Sequence, residues 1–427
     1  MSFFQNIISS IMSGTLKNNL FGGEDFGVLH KDINKALESV MTSSGEVSSL
    51  VYAEHLLMLI EQLNDNDLVI FLKKLAENYD IDPSVLSEAL KEYTANKIQP
   101  NLEKVSTSSE PGWVELFRRL NTTPNGTVRL VRLRERIRGL VKDNPEIAFF
   151  NSSLLSLFKS WFNPSFLVLE KIDWSTPANI LEKIIEYEAV HEINSWDDLR
   201  ARLAPEDRRC FAFFHPLIPD EPLIFVEVAL CDKMPESINE VIKIDREITD
   251  YKDINTAVFY SISNCQDGLA GISFGNFLIK KVAHKLKQEL DDLSKFVTLS
   301  PMPSFVKWLE KKSMYEDMDE DSLMTQAILY LTESEREDNS PNDPVAKFHL
   351  GNGAILEKIN LNADLSEKGL MQSKGLMVNY LYNLELLEKN HELFFKTKNV
   401  QQSDGIKSLK KKLQIHYVLC VTVKMKK

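Results

Sequence analysis

The sequence predicts an α+β protein, with an all-helical N-terminal domain over residues 1–122 and an α/β domain over residues 123–427. Two observations predict this class. Apolar side chains recur at helical spacing from about residue 31 to residue 97, whereas short β-rich runs alternate with helical stretches further along the chain. At 427 residues and 43% hydrophobic content, the chain can fill the cores of two or three ordinary domains.

Successive helices account for the N-terminal domain. One apolar stripe lies within residues 56–63, a second lies within residues 68–75, and Asp82-Pro83 combines a capping residue with a first-turn proline. This region has no histidine or cysteine cluster and no convergent carboxylates, so we expect a scaffold or an oligomer contact. The segments 106–112 and 121–126 are rich in turn formers and mark the expected domain boundary.

The chain next passes from helices to strands. In RLVRLRERIRGLV, residues 129–141, arginines alternate with leucines and valines. Phosphate binding by this segment stays open, but we favour a solvated helix face. Two helix-like runs, residues 154–162 and 179–187, enclose the strand candidate FLVLEKIDW. CFAFF and LIFVEVAL then predict a strand pair, because the proline-rich acidic segment between them requires a turn.

The most informative stretch, residues 257–309, predicts a strand, a glycine-rich turn, a helix and a second short strand. Gly268, Gly271 and Gly275 lie between the first strand and the helix. A backbone without side chains can approach a ligand closely, and unpaired amides at a helix start favour a phosphate. The turn is therefore a candidate phosphate cradle. Its spacing matches neither a dinucleotide fingerprint nor a P-loop, and the residues alone favour ordinary turn geometry.

Two further stretches carry weaker signals. CDKMPESINE, residues 231–240, indicates a loop that runs into a helix, where free amides can meet an anionic ligand; a simple connection is the favoured alternative. His349 lies between Phe348 and Leu350 at the end of a strand-like segment, immediately before a Gly-Asn-Gly turn. From the residues alone we favour a hydrogen-bonded core histidine.

The composition excludes some classes of partner. With 50 basic and 62 acidic residues the formal net charge is −12, which disfavours a general nucleic-acid or membrane surface but allows a local anion pocket. The apolar runs are too short for a transmembrane helix. The first residues lack a secretory signal and predict a frayed arm, with an amphipathic targeting segment left open. The four cysteines lack metal-ligand spacing and indicate a cytoplasmic protein, or an organellar one in a eukaryote.

Long strings in a fixed order resemble one known family. The chain contains, in this order, RRCFAFFHPLIPDEPLIFVEVAL, AVFYSISNCQDGLAGISFGNFLIKKV, FVTLSPMPSFVKWL and FHLGNGA followed by GLMVNYLY. These strings closely resemble the catalytic region of malonyl-CoA decarboxylases. The family's preceding segment is similar to SWFNPSFLVLEKIDWSTPANILEKIIEYEAVHEINSWDDLRARL. The resemblance covers about residues 121–382, and the helical N-terminal region fits the family's layout.

This resemblance implies the decarboxylation of malonyl-CoA to acetyl-CoA and carbon dioxide, a step of fatty acid metabolism, with no metal and no cofactor. CoA enters only as part of the substrate. The resemblance also implies a catalytic domain like the GNAT-type acetyltransferase fold, in which a strand–turn–helix unit holds the CoA pyrophosphate. It further implies self-association, as a homotetramer made of two dimers and held partly by the N-terminal helices.

The resemblance assigns roles to particular residues. The family's catalytic residues match Ser261 in FYSIS, His349 in FHLGNGA and Tyr382, the second tyrosine of NYLY. Its substrate-contacting loop matches Lys233, Met234, Pro235, Glu236, Ser237, Ile238 and Asn239, and the glycine turn at Gly268, Gly271 and Gly275 is assigned to the CoA phosphates. His349 would protonate the enolate that follows loss of carbon dioxide, while Ser261 would hydrogen-bond the malonyl carboxylate or the thioester oxygen. FHLGNGA must then fold back beside FYSIS.

Three positions depart from the family pattern: Ser304 replaces a usual glycine, Leu361 an aromatic residue and Arg136 an acidic one. None of them removes an expected catalytic residue. Two other functions stay open. One is a CoA-dependent acyltransferase, which needs a general base beside an acceptor channel. The other is a non-enzymatic CoA-binding oligomer.

Overall fold

The computed structural model describes residues 32–218, 220–272, 274–314 and 318–412. The predicted N-terminal arm and Cys420 lie outside these residues. The chain divides into two compact units, the first comprising Met1–Phe166, His215–Pro219 and Gln266–Ile272, and the second comprising Leu167–Phe214, Asp220–Cys265 and Ser273–Lys427. The expected boundary at residue 122 falls within the first unit, and the division into domains at that residue stays a prediction.

The described part of the first unit is almost entirely helical, as predicted. Its helices are α1 (Ile33–Thr42), α2 (Glu46–Gln62), α3 (Asp65–Tyr79), α4 (Pro83–Ala95), α5 (Gln99–Ser108), α6 (Gly112–Asn121), α7 (Gly126–Leu140) and α8 (Ala148–Trp161). The predicted stripes form its core, where Leu56 and Leu72 are buried. The side chains of Asn64 and Asp82 accept hydrogen bonds from first-turn amides of α3 and α4. The turn expected from residue 106 begins later, because α5 runs through Ser108.

Arg134 on α7 corrects the prediction of a solvated helix face. It is only 1% exposed, and its guanidinium donates to the carbonyl oxygens of Gly268 at 2.6 Å and Ala270 at 2.9 Å, within the same unit. Burial lowers the pKa of Arg134 to about 10. Arg136, the departure from the family's acidic residue, is paired with Asp65 at 2.9 Å. The arginines of α7 therefore connect elements of this unit.

The second unit is a sheet covered by helices. Its strands are β1 (Val168–Ile172), β2 (Arg208–Phe214), β3 (Ile224–Cys231), β4 (Thr256–Asn264), β5 (Lys295–Thr298), β6 (Ser300–Pro301), β7 (Ile355–Asn360) and β8 (Met377–Leu381). Its helices are α9 (Ala178–Tyr187), α10 (Trp196–Leu203), α11 (Ile238–Ile242), α12 (Gly275–Glu289), α13 (Phe305–Lys311), α14 (Glu320–Thr332), α15 (Pro344–Gly351), α16 (Glu367–Ser373) and α17 (Leu387–Thr397). No described helix has the length and apolar character required to cross a membrane.

The sheet is mixed, with the order β1-β2-β3-β4-β5-β8-β6, and β7 pairs with β8. Neighbours pair antiparallel except β4 and β5, which run parallel. A parallel pair needs a crossover connection, and α12 supplies it. The predicted strand, turn, helix and second strand over residues 257–309 are thus confirmed, as are the strand pair β2–β3 and the α+β class.

The predicted strand before His349 is wrong. Residues Pro344–Gly351 form helix α15 instead, because Asp343 accepts hydrogen bonds from the amides of Val345 and Ala346 and Pro344 occupies the first turn. Ser304, where the family usually has glycine, has a φ of −113°. Any residue adopts that conformation, so this departure does not disturb the turn before α13.

Candidate active site

Ser261 is placed by an irregularity in β4. Where β4 pairs with β3, Phe259 lies opposite Val228 and Ser261 lies opposite Glu227. Tyr260 therefore has no partner residue on β3 and forms a β-bulge. Such a bulge changes the direction in which the following side chain points. Directly opposite residues share a face of the sheet, so Ser261 lies on the face of Glu227. The serine is 1% exposed.

The hydroxyl of Ser261 is held by a carboxylate that follows α9. Ser261 Oγ donates to Glu188, with Oε1 at 2.8 Å and Oε2 at 2.6 Å. Ser263 Oγ lies 3.4 Å from the same Oε2. Glu188 is 8% exposed. Since a serine hydroxyl has a single proton, Glu188 takes the only hydrogen bond that Ser261 can donate.

A second buried carboxylate lies on the same face. Glu227 is fully buried and its Oε2 lies 3.1 Å from Nη1 of Arg202. Burial, and after it the charge of Glu188, raises the pKa of Glu227 to about 8. Two carboxylates therefore lie at this face, and they have different partners. Glu188 contacts the hydroxyl of Ser261, whereas Glu227 contacts the guanidinium of Arg202.

His349 lies on the last turn of α15 and is 3% exposed. Its Nδ1 is 2.8 Å from the hydroxyl of Tyr382, and its Nε2 is 3.1 Å from Oγ of Ser300. The ring of Tyr380 stacks on the imidazole, with centroids 4.7 Å apart and an angle of 24° between the planes. Contacts on both nitrogens and one face fix the ring in a single orientation.

The partners of His349 determine its tautomer. Ser300 Oγ donates to Oγ1 of Thr298 at 2.9 Å, so its oxygen is left to accept from His349 Nε2. Burial raises the pKa of Tyr382, which keeps its phenol protonated and able to donate to Nδ1. Burial also lowers the pKa of His349 to about 3. The imidazole is therefore neutral at ordinary pH and carries its proton on Nε2.

The motifs FYSIS and FHLGNGA meet at one cavity of about 250 Å³ in the second unit, as predicted. Its lining includes Tyr260 and Ile262, the neighbours of Ser261, together with Ser300 and His349. Among the described side chains, the hydrogen bonds of Ser261 and those of His349 go to different partners. The serine and the histidine thus belong to separate hydrogen-bond networks.

The predicted substrate loop, residues 233–239, leads from β3 into α11, as the loop-to-helix interpretation required. Ser237 caps α11 by accepting from the amide of Asn239 and donates to the carbonyl of Ala363. Glu236 forms an exposed ion pair with Lys358 at 2.5 Å. Met234 and Tyr382 line a second cavity of about 450 Å³. Lys233, Pro235 and Ile238 belong to the same loop, whose contact with a substrate stays a prediction.

The three glycines have different local roles. Gly268 is buried, and a Cβ there would lie 2.0 Å from the carbonyl oxygen of Val131. Gly271 has a φ of +92°, which disfavours other residues. Gly275 opens α12 against the ring of Phe348. Gly268 and Gly271 belong to the first unit and Gly275 to the second, so a shared phosphate cradle stays a prediction.

Sequence reasoning missed Glu188, Ser300 and Tyr380. Glu188 lies in EYEAVH, inside the string that resembles the family's segment before the catalytic motifs, but nothing in its spacing indicates a partner 73 positions away. Ser300 opens the short strand β6, but in the string TLSP a serine before proline indicates only an ordinary turn residue. Tyr380 could have been found, since it is the first tyrosine of the NYLY string. Within the described ranges, no group of three or more His, Cys, Asp or Glu side chains is arranged to hold a metal ion.

The mixed sheet, its covering helices and a buried cavity lined by an oriented neutral histidine are the features of an α+β enzyme. Two family models match the chain: the malonyl-CoA decarboxylase N-terminal domain over residues 79–162, and the C-terminal domain over residues 165–321 and 315–418. The chain belongs to the malonyl-CoA decarboxylase family.

Relatives and solved structures agree with this membership. The chain is 34% identical over 355 residues to the mitochondrial malonyl-CoA decarboxylase of Anser anser anser, covering 71% of this chain and 70% of that protein. The crystal structure of malonyl-CoA decarboxylase from Rhodopseudomonas palustris has a TM-score of 0.83 and 42% identity, covering 88% of this chain and 98% of that one. The structure from Agrobacterium vitis has a TM-score of 0.83 and 43% identity, covering 89% and 100%.

Proposed function

We propose that this chain converts malonyl-CoA to acetyl-CoA and carbon dioxide. Membership of the family supports the reaction, and the single observation that carries it to this site is the cavity that FYSIS and FHLGNGA line together. Loss of carbon dioxide leaves an enolate on the thioester, which must be stabilised and then protonated on its α-carbon. His349 and Ser261 are the residues to which we assign these tasks.

In this proposal the neutral imidazole of His349 takes up a proton and becomes an imidazolium when the substrate binds. The free imidazole has a pKa lowered by burial, so it is neutral beforehand. A malonyl carboxylate brought beside the ring places a negative charge near it, which favours the imidazolium and raises the pKa. After carbon dioxide leaves, the Nε2 proton on the cavity side passes to the α-carbon, and the proton taken up from solvent stays on Nδ1 of the neutral ring, where the hydroxyl oxygen of Tyr382 accepts it. Tyr382 and Ser300 keep the ring in place through both states.

Ser261 is proposed to position the malonyl group, and the loop at residues 233–239 and the glycine turn are proposed to bind the rest of malonyl-CoA. The position of Ser261 in β4, between two residues that line the cavity, Tyr260 and Ile262, supports this role. We propose no separate cofactor and no metal: the thioester carbonyl of the substrate itself accepts the electrons that decarboxylation releases.

The test is turnover of malonyl-CoA by the full chain after dialysis against a chelator. We expect acetyl-CoA and carbon dioxide in equal amounts, with and without an amine acceptor, and a loss of about 100-fold or more in His349→Asn and Ser261→Ala. His284→Gln, on the exposed face of α12, is the control variant. Acyl transfer to the amine would support an acyltransferase instead, and a folded, CoA-binding but inactive protein would overturn the proposal. Methylmalonyl-CoA serves as the comparison substrate.

We further propose that the chain works as a homotetramer, a dimer of dimers. Exposed apolar side chains on the helical unit support self-association: Val85 is 51% exposed on α4, and Leu102 is 42% exposed on α5. Light scattering coupled to size exclusion tests this directly. A mass near four times 48.9 kDa is expected, whereas a monomer at micromolar concentration would contradict it.

A cytoplasmic location, or an organellar matrix in a eukaryotic source, is also a proposal. The curated relatives are named mitochondrial proteins. Among the described residues, Cys210, Cys231 and Cys265 are free thiols, which agrees with a reducing compartment. Fractionation of the source cells, followed by detection of the full chain, tests the location.

A further inference from the structure

The turn at residues 266–272 is held against helix α7 by a buried arginine. Nη1 of Arg134 donates to the carbonyl oxygen of Gly268 at 2.6 Å, and Nη2 donates to that of Ala270 at 2.9 Å. Nε of the same guanidinium donates to Oδ1 of Asn151 at 2.9 Å, and all these groups belong to the first unit. Since Arg134 is 1% exposed, water does not easily replace these bonds. Arg134 therefore fixes the direction of two carbonyl groups in the turn.

These carbonyl contacts decide where the following amides point. In a trans peptide the C=O group and the N–H of the next residue point in opposite directions, and the described peptide bonds are all trans. Because the carbonyl of Ala270 points at the guanidinium, the N–H of Gly271 points away from it. The N–H of Leu269, which follows the other carbonyl, is already paired with the carbonyl of Gln266 at 2.9 Å. Gly271 is exposed, and its amide donates no hydrogen bond to any described residue, so it is a free donor opposite Arg134.

Arg134 carries a positive charge for which the described residues supply no counter-ion. Its acceptors are neutral, namely the two turn carbonyls and the oxygens of Asn151, and Asp267, the acidic residue of the turn, is exposed and not paired with it. Burial, and after it the charge of Arg138 one helical turn later, lowers the pKa of Arg134. An unpaired buried charge is costly, and like charges at positions i and i+4 of a helix repel each other. An anion bound at the free side of the turn would offset both costs.

We infer that Arg134 is a positioning residue for the phosphates of CoA: it holds the turn so that the N–H of Gly271 donates to a phosphate oxygen, and its charge supports that anion from behind the turn. This inference rests on the proposed function, in which the glycine turn binds part of malonyl-CoA. Phosphate oxygens are acceptors, and backbone N–H groups in turns are suited to donate to them. A guanidinium bound at the carbonyl end of a peptide group polarises that group and strengthens the N–H at its other end. The helical unit thereby contributes to the affinity for the substrate.

Two substrates that differ in their phosphates isolate this role. Malonyl-pantetheine presents the same malonyl thioester as malonyl-CoA but carries no phosphate. In Arg134→Met, kcat/KM for malonyl-CoA should fall about 10- to 50-fold, mainly through KM, because the turn loses its anchor and the supporting charge. For malonyl-pantetheine, kcat/KM should stay within about 3-fold of wild type, since this substrate makes no phosphate contact. An arginine with a merely structural role would lower kcat/KM for both substrates alike, and that result would overturn the inference.

Two further variants separate the anchor from the helix that carries it. Arg134→Lys keeps the charge but has one ammonium group in place of a planar fork, so it should recover part of the affinity for malonyl-CoA. Arg136→Met is the matched control, because Arg136 lies on the same helix and pairs with Asp65 at 2.9 Å. We expect Arg136→Met to stay within about 2-fold of wild type with both substrates. Equal losses in Arg136→Met and Arg134→Met would show a general weakening of α7 and would contradict the inference.

A measurement on the wild-type chain covers the case in which Arg134→Met does not fold. Hydrogen exchange of the peptide that contains Gly271, followed by mass spectrometry, should slow about 10-fold or more with saturating CoA and less than about 2-fold with saturating pantetheine. The same exchange rate with both ligands would overturn the inference. Failure of the proposed function gives a different result: the wild type would turn over neither malonyl-CoA nor malonyl-pantetheine, while CoA would still protect Gly271.

Discussion

The hydroxyl of Tyr382 lies 2.8 Å from Nδ1 of His349, and this contact determines which imidazole nitrogen carries the proton. Tyr382 is at the end of β8, where Phe296 accepts a hydrogen bond from its backbone amide. The sheet therefore positions the phenol of Tyr382, and this phenol fixes the orientation of the imidazole of His349. With Nδ1 occupied as an acceptor, the Nε2 proton is the one on the side of Ser300 and the cavity.

Tyr382→Phe should lower kcat about 10- to 100-fold, because the imidazole loses the donor that fixes its tautomer. The free energy of unfolding should fall by about 1–3 kcal/mol, since Nδ1 becomes a buried acceptor without a partner. Steady-state turnover and urea denaturation measure the two effects. Tyr380→Phe is a matched control: its ring also contacts His349, but its hydroxyl is a buried group with no hydrogen-bond partner among the described residues. Equal losses in both variants would contradict the tautomer argument.

Burial of His349 predicts a loss of stability in acid. The folded pKa is lowered to about 3 from the ordinary 6.5, so below about pH 6.5 the unfolded chain binds a proton that the folded chain does not. The free energy of unfolding therefore decreases as the pH falls, until the folded pKa is reached. His349 should account for about 2 kcal/mol of this loss between about pH 7.5 and about pH 5.

Urea denaturation of wild type, His349→Asn and His284→Gln at both pH values tests the acid effect. His349→Asn should lose less stability on acidification than wild type, because asparagine takes up no proton. His284→Gln, a change of a solvent-exposed histidine, should follow the wild type. Parallel pH dependence in all three proteins would show that His349 is not the group responsible.

The sequence was sufficient where structure depends on local pattern. The apolar stripes of α2 and α3 and the turn between β2 and β3 were correctly predicted because each depends on neighbours in the chain. His349 was misplaced in a strand because Phe348 and Leu350 suggest alternation, whereas Asp343-Pro344 is a helix-start signal of the same kind as Asp82-Pro83.

The missed features depend on partners far away in the chain. Arg134 is buried because carbonyl groups 134 and 136 positions later accept its protons, and no spacing within RLVRLRERIRGLV discloses them. The same holds for Glu188 and Ser261, which are 73 positions apart. The family resemblance predicted Ser261, His349 and Tyr382 as catalytic residues. It did not predict the hydrogen bonds that orient their side chains.

The buried pair of Glu227 and Arg202 should respond unequally to substitution. Burial raises the pKa of Glu227, which offsets part of its attraction to Arg202, and glutamine in its place still offers the guanidinium an acceptor. We expect that variant to cost less than about 1 kcal/mol of unfolding free energy. Arg202→Met leaves the carbonyl oxygens of His191 and Glu192 without donors and should cost about 3 kcal/mol or more. Denaturant unfolding of both variants gives the comparison, and equal costs would contradict the raised pKa.

Substitution by alanine is expected to change the free energy of unfolding in opposite directions at Gly268 and at Gly139. A Cβ at Gly268 would lie 2.0 Å from the carbonyl oxygen of Val131, which is backbone and cannot rotate away. Gly268→Ala should therefore cost about 3 kcal/mol, because the turn and α7 must separate. Gly139 lies in α7 with nothing within 4 Å of an added Cβ, so Gly139→Ala should stabilise by about 0.5–1 kcal/mol through helix propensity. Urea unfolding measures both changes. If Gly268→Ala retained wild-type stability, close packing would not be the reason for glycine there, and its proposed contact with the CoA phosphates would become the stronger explanation.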